Sequence, residues 1–366
     1  MNEIGRYLDS VYVLSHSIST VASYRTATKR FQDFLHKHYG CSDEEIIQKI
    51  ERGIANVAPL LKEFVIFLDK SGYKPASITM WLGAVKGYLR HCGVKIYSED
   101  LKGIVRIPKQ TRTRDTPLTK ELLVKLLHAI PLRLQCVVLA AVSSGMRIGE
   151  IVQLRLSDID FETKPTTLNI RAETTKTKES RTTFITEEAT SCLKQYLARY
   201  FGWKDGEKNI NLQNTLIFYR TCSTKDLDQE PKSYLIIEGK FQRMLTDHIK
   251  KIPELYMKNE NGRKVIHFHA FRKFFRTIVG DVLGRDFAEA MIGHHFYMDT
   301  YYNLPEQKKR EMYLKVEQHL TVSDFQTFEK NLHDLSQKSS KIQADLEGLK
   351  QYIMNNSIKI PDSLSS

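Results

Sequence analysis

The sequence predicts a mainly α protein with a small antiparallel β-sheet, an α+β fold in two domains. Three observations carry that expectation. Apolar residues recur at helical spacing along most of the chain. One segment, Thr166 to Thr186, is instead rich in Thr, Ile and Phe around a polar centre, as two strands of a hairpin would be. A basic stretch flanked by Pro108 and Pro117, without apolar periodicity, separates an earlier helical block from the rest.

Taken in order, the helical block runs from about Ser15 to Cys92. Val21, Tyr24, Ala27, Phe31, Phe34 and Leu35 form one buried stripe, with Ser17 or Ser19 available as its cap. Ser71-Gly72 breaks a second helical region, after which Ile78, Trp81, Leu82, Val85 and Tyr88 form another stripe. Residues 1–104 are therefore expected as an all-helical domain and residues 105–117 as a linker carrying Arg106, Lys109, Arg112 and Arg114. Such a positive strap could follow a phosphate backbone.

The second domain is expected over residues 118–320. Helices are predicted from Lys120 to His128 and from Leu132 to Val142, then a turn at Ser143-Ser144-Gly145 and a short helix. The hairpin follows, then helices from Glu187 to Phe201 and Tyr234 to Lys251 separated by a weak strand, LIFY at 216–219; from His269 onward the chain is helical again. Residues 321–366 form a tail. There Phe325, Phe328, Leu332, Leu335, Ser339, Ile342, Leu346, Leu349 and Ile353 keep alternating spacings of three and four, predicting an amphipathic helix for oligomerisation or for folding back on its own domain.

The 366 residues are 41% hydrophobic and 27% charged, the balance of a soluble globular protein, with 55 Lys and Arg against 43 Asp and Glu. The resulting net charge of +12 suits a polyanionic partner. The opening residues MNEIGRYLDS have neither a basic n-region nor an apolar h-region, and no apolar run approaches a membrane span, so the expectation is a cytoplasmic protein without a membrane partner. The cysteines, Cys41, Cys92, Cys136, Cys192 and Cys222, are widely spaced without a C-x-x-C pair and read as reduced, mostly buried thiols.

Four stretches carry chemistry. In SSGMRIGEIVQLRLSDID, Ile148, Ile151 and Val152 form the buried stripe of a short helix, leaving Arg147 and Glu150 together on another face as an ion pair. In ETTKTKESRTTF, Lys176 and Lys178 stand at a hairpin tip, where a flexible ammonium can reach into a groove. In HFHAFRKFFRTIVG, His269 and Arg272 share a helical face near a helix N-terminus, an arrangement suited to a phosphate oxygen, and Arg276 lies one turn further. The fourth stretch, GHHFYMDTYYNLP, sets His294 and His295 before Tyr297, Tyr301 and Tyr302. A metal site built from His267, His269, His294 and His295 is disfavoured, because H-x-H plus H-H matches no common zinc spacing and carboxylate partners are absent nearby.

The order of S-G-M-R-I-G-E, a lysine in a strand hairpin, H-A-F-R, then I-G-H and a tyrosine within ten residues resembles the tyrosine recombinase family of phage-type integrases and Xer-type recombinases. The helical segment through His91 resembles the family's N-terminal core-binding domain, and TPLTKELLVKLL the opening of its catalytic domain. The Tyr-Tyr pair followed by a proline and an acidic helix resembles archaeal integrases. The resemblance implies cleavage and rejoining of double-stranded DNA through a 3′-phosphotyrosine and a Holliday junction, by a homo-oligomer, a tetramer on DNA, with no cofactor, ATP or metal. It implies that Arg147 and Arg272 grip the non-bridging phosphate oxygens and that a hairpin lysine protonates the leaving oxygen. His269 would assist proton transfer, and His294 would bind the phosphate or position the nucleophile.

Ungapped counting back from Arg181 aligns Lys176 with the family's lysine, leaving Lys178 as the other candidate. Tyr302 lies eight residues beyond His294 and Tyr301 seven, against a usual separation of about nine, because both groups must meet one phosphate. Spacing favours Tyr302, while Leu304 three residues after Tyr301 favours the latter. Two other outcomes stay open: a type IB topoisomerase-like enzyme that relaxes DNA, and a non-catalytic DNA-binding relative.

Overall fold

Asn2, Ser17, Ser42 and Asn56 each accept a hydrogen bond from the first turn of the helix that follows, so the N-terminal region is punctuated by side chains that satisfy otherwise unpaired amides. These helices come from a computed structural model that describes residues 2–109, 116–206, 214–219, 233–260, 262–293, 304–323, 342–343 and 345–352. The chain divides into two compact units, Met1–Thr113 and Arg114–Ser366.

The first unit contains α1 (Glu3–Ser15), α2 (Ile18–Tyr39), α3 (Asp43–Glu51), α4 (Val57–Lys70), α5 (Pro75–His91) and the single turn α6 (Ser98–Leu101). Ser17, not Ser19, caps α2. Phe31, Phe34, Phe64, Leu68, Ile78, Val85 and Tyr88 are fully buried, and each such side chain contributes about 1.5–3 kcal/mol on leaving water. One carboxylate enters this core. Asp43 accepts from the Tyr88 hydroxyl and, at 2.9 Å, from Gln32 Nε2, so its buried oxygens are both engaged.

The second unit is built around α8 (Leu132–Ser144), of whose thirteen residues ten are buried. A helix that is apolar on nearly all sides can only be central. Around it lie α7 (Lys120–Ala129), α9 (Ile148–Ile151), α10 (Glu187–Phe201), α11 (Ser233–Ile249), α12 (Phe268–Leu283), α13 (Arg285–Ile292) and α14 (Glu306–Leu320). Strands β1 (Ile159–Asp160), β2 (Thr166–Ile170) and β3 (Arg181–Ile185) form an antiparallel sheet in that order, with Leu168 opposite Ile159 on one side and Thr183 on the other. The mostly helical fold with a small antiparallel sheet is thus as expected. The hairpin adds the short strand β1, which the sequence reading did not separate.

Two local expectations need correction. Helix α8 continues through Ser144, so only Gly145 forms the turn. Residues 216–219 form no strand; Leu216 makes a single bridge with Arg155, while Ile217 and Phe218 are buried as core residues. A short apolar run reads the same in sequence whether it pairs with a strand or plugs a core.

Cys41, Cys136 and Cys192 are buried and Cys92 half-buried, all as free thiols, while Cys222 lies outside the described residues. Among the described residues no helix is long and apolar enough to cross a membrane. Of the tail, residues 342–343 and 345–352 are helical with Ile342, Leu346 and Leu349 exposed; Phe325, Phe328, Leu332, Leu335, Ser339 and Ile353 lie outside the described residues.

Candidate active site

Gly145 ends α8 with φ +66°, and a Cβ there would collide with Phe275 Cδ1 and stand 2.7 Å from Ile292 Cγ2. Backbone angle and close approach both require glycine. Its carbonyl accepts from Arg272 Nη1 at 2.6 Å, and Arg272 Nη2 donates at 2.6 Å to the carbonyl of Ile292, the last residue of α13. Arg272 is 3% exposed. One buried guanidinium on α12 therefore ties together the ends of α8 and α13.

Two residues after Gly145, Arg147 stands at the start of α9 with its side chain 30% exposed. Its Nη1 donates to Glu150 Oε1 at 3.0 Å and its backbone N–H to Oε2 at 2.9 Å. The pair is not a surface contact, because the Glu150 side chain is only 2% exposed. The difference arises from a long-range partner. Arg181, opening β3, reaches the same carboxylate with Nη2 at 2.6 Å from Oε2 and Nη1 at 3.3 Å from Oε1, and its Nε lies 3.3 Å from the Met291 carbonyl. Burial would raise the Glu150 carboxyl, yet the hydrogen bonds and charge of Arg181, followed by those of Arg147, hold it below its ordinary value.

His269 lies in the first turn of α12, exposed to solvent on one side. Burial first, then the positive charges of Lys273, His267, Arg272 and Arg147, press its pKa below the ordinary 6.5, so the ring is neutral at pH 7. Arg272 is pushed down to about 9, by burial and then by Arg147, and stays charged at neutral pH. Arg147, His269 and Arg272 thus share one electropositive neighbourhood whose mutual repulsion an anion would relieve. His267 precedes α12 and turns its Nδ1 to the Lys264 carbonyl, 2.8 Å away. Among the described residues no three His, Cys, Asp or Glu side chains converge as a metal site.

The other candidates are not drawn into this cluster by contacts. Lys176 and Lys178 are exposed on the β2–β3 loop. Lys178 adopts φ 60° and points its Nζ at the Glu173 carbonyl, 3.4 Å away, while Lys176 makes no hydrogen bond among the described residues. Arg276 pairs through Nε with Glu289 of α13 at 2.6 Å, a link between neighbouring helices. Arg106 and Lys109 are exposed in the first unit. Arg112, Arg114, His294, Tyr301 and Tyr302 lie outside the described residues.

Described residues on either side of the stretch holding His294, Tyr301 and Tyr302 are nevertheless fixed at the C-terminal end of α8. On one side Ile292 is bound by Arg272 and packs at Gly145. On the other, the fully buried Tyr313 of α14 donates to the Ser143 carbonyl at 2.7 Å. Sequence reasoning named Arg147, His269 and Arg272 but used Arg181 only as a counting mark. Its one sequence signal was a basic residue at the start of a strand otherwise directed into the core.

The chain belongs to the phage integrase family, whose model matches residues 116–303, just over half of its length. Its relatives include the tyrosine recombinase XerA of Pyrococcus furiosus, 31% identical over 116 residues that cover 31% of this chain and 39% of that protein. XerA of Saccharolobus solfataricus is 23% identical over 58% of this chain and 68% of its own length. The tyrosine recombinase XerC of Chlamydia trachomatis is 30% identical over 43% and 50% respectively. The chain thus spans about two fifths of the length of the Pyrococcus relative. Among solved structures, the fold is shared with a lambda integrase tetramer bound to a Holliday junction, at a TM-score of 0.51 and 16% identity, covering 83% of this chain and 79% of that one. It is shared equally with a lambda integrase (75–356) dimer bound to a COC′ core site, at a TM-score of 0.51 and 16% identity, covering 83% and 97%.

Proposed function

We propose that the protein is a site-specific DNA recombinase or integrase that cleaves and rejoins double-stranded DNA through a covalent tyrosine intermediate. The observation that carries this reading is the convergence of Arg147 and Arg272 beside a neutral His269, at the C-terminal end of α8, where residues on either side of the tyrosine-bearing stretch are bound. Pentavalent phosphorus gathers negative charge on its non-bridging oxygens, and preorganised guanidiniums stabilise that charge more than they stabilise the ground state.

In the proposed reaction the hydroxyl oxygen of Tyr302, or of its neighbour Tyr301, attacks phosphorus and loses its proton, with His269 assisting. The bond from phosphorus to the 5′-oxygen breaks, and Lys176 gives that oxygen a proton, producing a 3′-phosphotyrosine and a free 5′-hydroxyl. A 5′-hydroxyl from a second duplex then reverses the step, yielding a Holliday junction. The phosphodiester energy stays in the covalent link, so ATP is not consumed. His294 contacts the phosphate or the nucleophile. Arg106, Lys109, Arg112, Arg114, Lys178 and Arg276 are assigned to the DNA backbone, residues 1–104 to clamping the duplex, and residues 321–366 to oligomerisation into the working tetramer.

The test is covalent capture on a pool of nicked duplexes of randomised central sequence. We expect a protein–DNA adduct that disappears in either Tyr302→Phe or Tyr301→Phe but not in both. No adduct from any duplex would sink the proposal. Junctions formed on two captured duplexes would favour recombination, whereas relaxation of supercoiled circles without junctions would favour the topoisomerase-like outcome.

A further inference from the structure

We infer that Arg181 is a positioning residue for this site: it neutralises Glu150 so that the carboxylate can hold Arg147, and it couples that carboxylate to the end of α13. The inference rests on reading the site as one of phosphate cleavage and goes beyond it by giving a role to a residue that the proposed reaction leaves unused.

The geometry is specific. Glu150 receives four N–H groups, two from Arg147 and two from Arg181, shared evenly between its oxygens. Arg181 is 11% exposed and Glu150 2%, so neither charge is relieved by water. A buried carboxylate that loses one of two cationic partners is left poorly compensated. The remaining charges near Glu150 are Arg147 from α9 and Arg272 from α12, while the acidic Glu238 of α11 lies against the adjacent Gly149 and would repel it.

The third donor of Arg181 adds the mechanical link. Its Nε faces the Met291 carbonyl, and its side chain fills the space beside Gly293, where a Cβ would lie 3.0 Å from Arg181 Cδ. Gly293, at φ +67°, directly precedes His294. One planar fork therefore touches the support of Arg147 and the last turn before His294, a task the single donor head of lysine cannot repeat.

The test uses the nicked duplex that the wild-type protein captures, with adduct formation followed from pH 5.5 to 8.5. Arg181→Met keeps bulk and removes charge. Without Arg181 the Glu150 carboxyl becomes harder to ionise, so acid should protonate it and release Arg147. We expect Arg181→Met to lose about tenfold or more relative to wild type near pH 6 and only a few-fold near pH 8.5, since each unit of pKa shift is tenfold in populations. Adding Glu150→Gln should flatten the ratio across pH, because no carboxylate is left to titrate, and Arg181→Lys should show a shallower slope. Titration of His269, present in every variant, cancels in the ratio.

A merely structural role for Arg181 would lower the melting temperature and slow all pH values alike. A ratio constant with pH, in Arg181→Met or in Arg181→Lys should the first variant melt too early, overturns the inference while leaving the recombinase reading standing. Failure of the wild-type protein to form any adduct overturns both.

Discussion

The turn at Gly145 and the loop between β2 and β3 contribute to one proposed reaction but are built in opposite ways. At the turn, Arg272 is buried and bound to two backbone carbonyls, and Arg147 is held by a carboxylate that a third arginine supports. On the loop, Lys176 is exposed and has no hydrogen-bond partner among the described residues. The groups proposed to stabilise charge are thus preorganised, whereas the group proposed to deliver a proton keeps its rotamer freedom. That division suits the chemistry: charge stabilisation gains from rigidity because nothing must reorganise in the transition state, while an ammonium must only reach one oxygen.

The comparison can be broken most severely at Arg272. We expect Arg272→Ala to lower adduct formation by about a thousandfold, the scale of removing a preorganised charge donor. It should also lower folding stability by about 3 kcal/mol, because the carbonyls of Gly145 and Ile292 lose buried partners at about 1–3 kcal/mol each. Calorimetry beside the capture assay checks both. Arg147→Ala should cost about a hundredfold or more in cleavage with a much smaller change in melting, since its side chain is 30% exposed. In both variants filter-binding affinity for DNA should be largely retained, because the proposed backbone contacts fall to other basic residues.

On the loop side, Lys176→Ala should slow cleavage by about a hundredfold without changing melting, and a substrate whose leaving oxygen is replaced by sulfur should recover most of the rate, because a thiolate departs without a proton. Lys178→Ala should change the rate by less than about threefold; the reverse order would exchange the two assignments. The smallest effect concerns acid. His269 has its folded pKa below 6.5, so it is neutral at pH 7, and cleavage that uses the neutral ring should decline only as pH falls below that value. The unfolded chain binds this proton more readily, so the group's contribution to stability falls with acid in the same window. A His269→Gln variant should lose the acid limb in both measurements.

The arginine–histidine cluster was legible in sequence because its members sit at short, regular offsets: Arg147 two residues after a glycine turn, and His269 and Arg272 three apart on one helical face. Their supports were not. The ion pair of Arg147 with Glu150 could be read locally, but nothing local in sequence announces that Arg181, thirty-one residues away, completes it. Arg276 shows the converse, for periodicity placed it on the face of Arg272 but could not reveal that Glu289 occupies it. Residues 216–219 illustrate the same limit in the fold, where apolarity foretold burial and not pairing. Offsets within an element are written in the chain, whereas partners across elements are decided by packing.

The site is assembled from residues 143 to 313, all within the second unit, while the first unit has a hydrophobic core of its own. A ribosome delivers about 5–20 residues each second, and compact N-terminal units can close while the rest is being made. The helical unit can therefore be complete before Arg147 is released, and the Ser143 carbonyl gains its Tyr313 partner only once 170 further residues have been made. A chain terminated before residue 313 would still hold a folded first unit yet lack the bond between Tyr313 and Ser143 that closes the second.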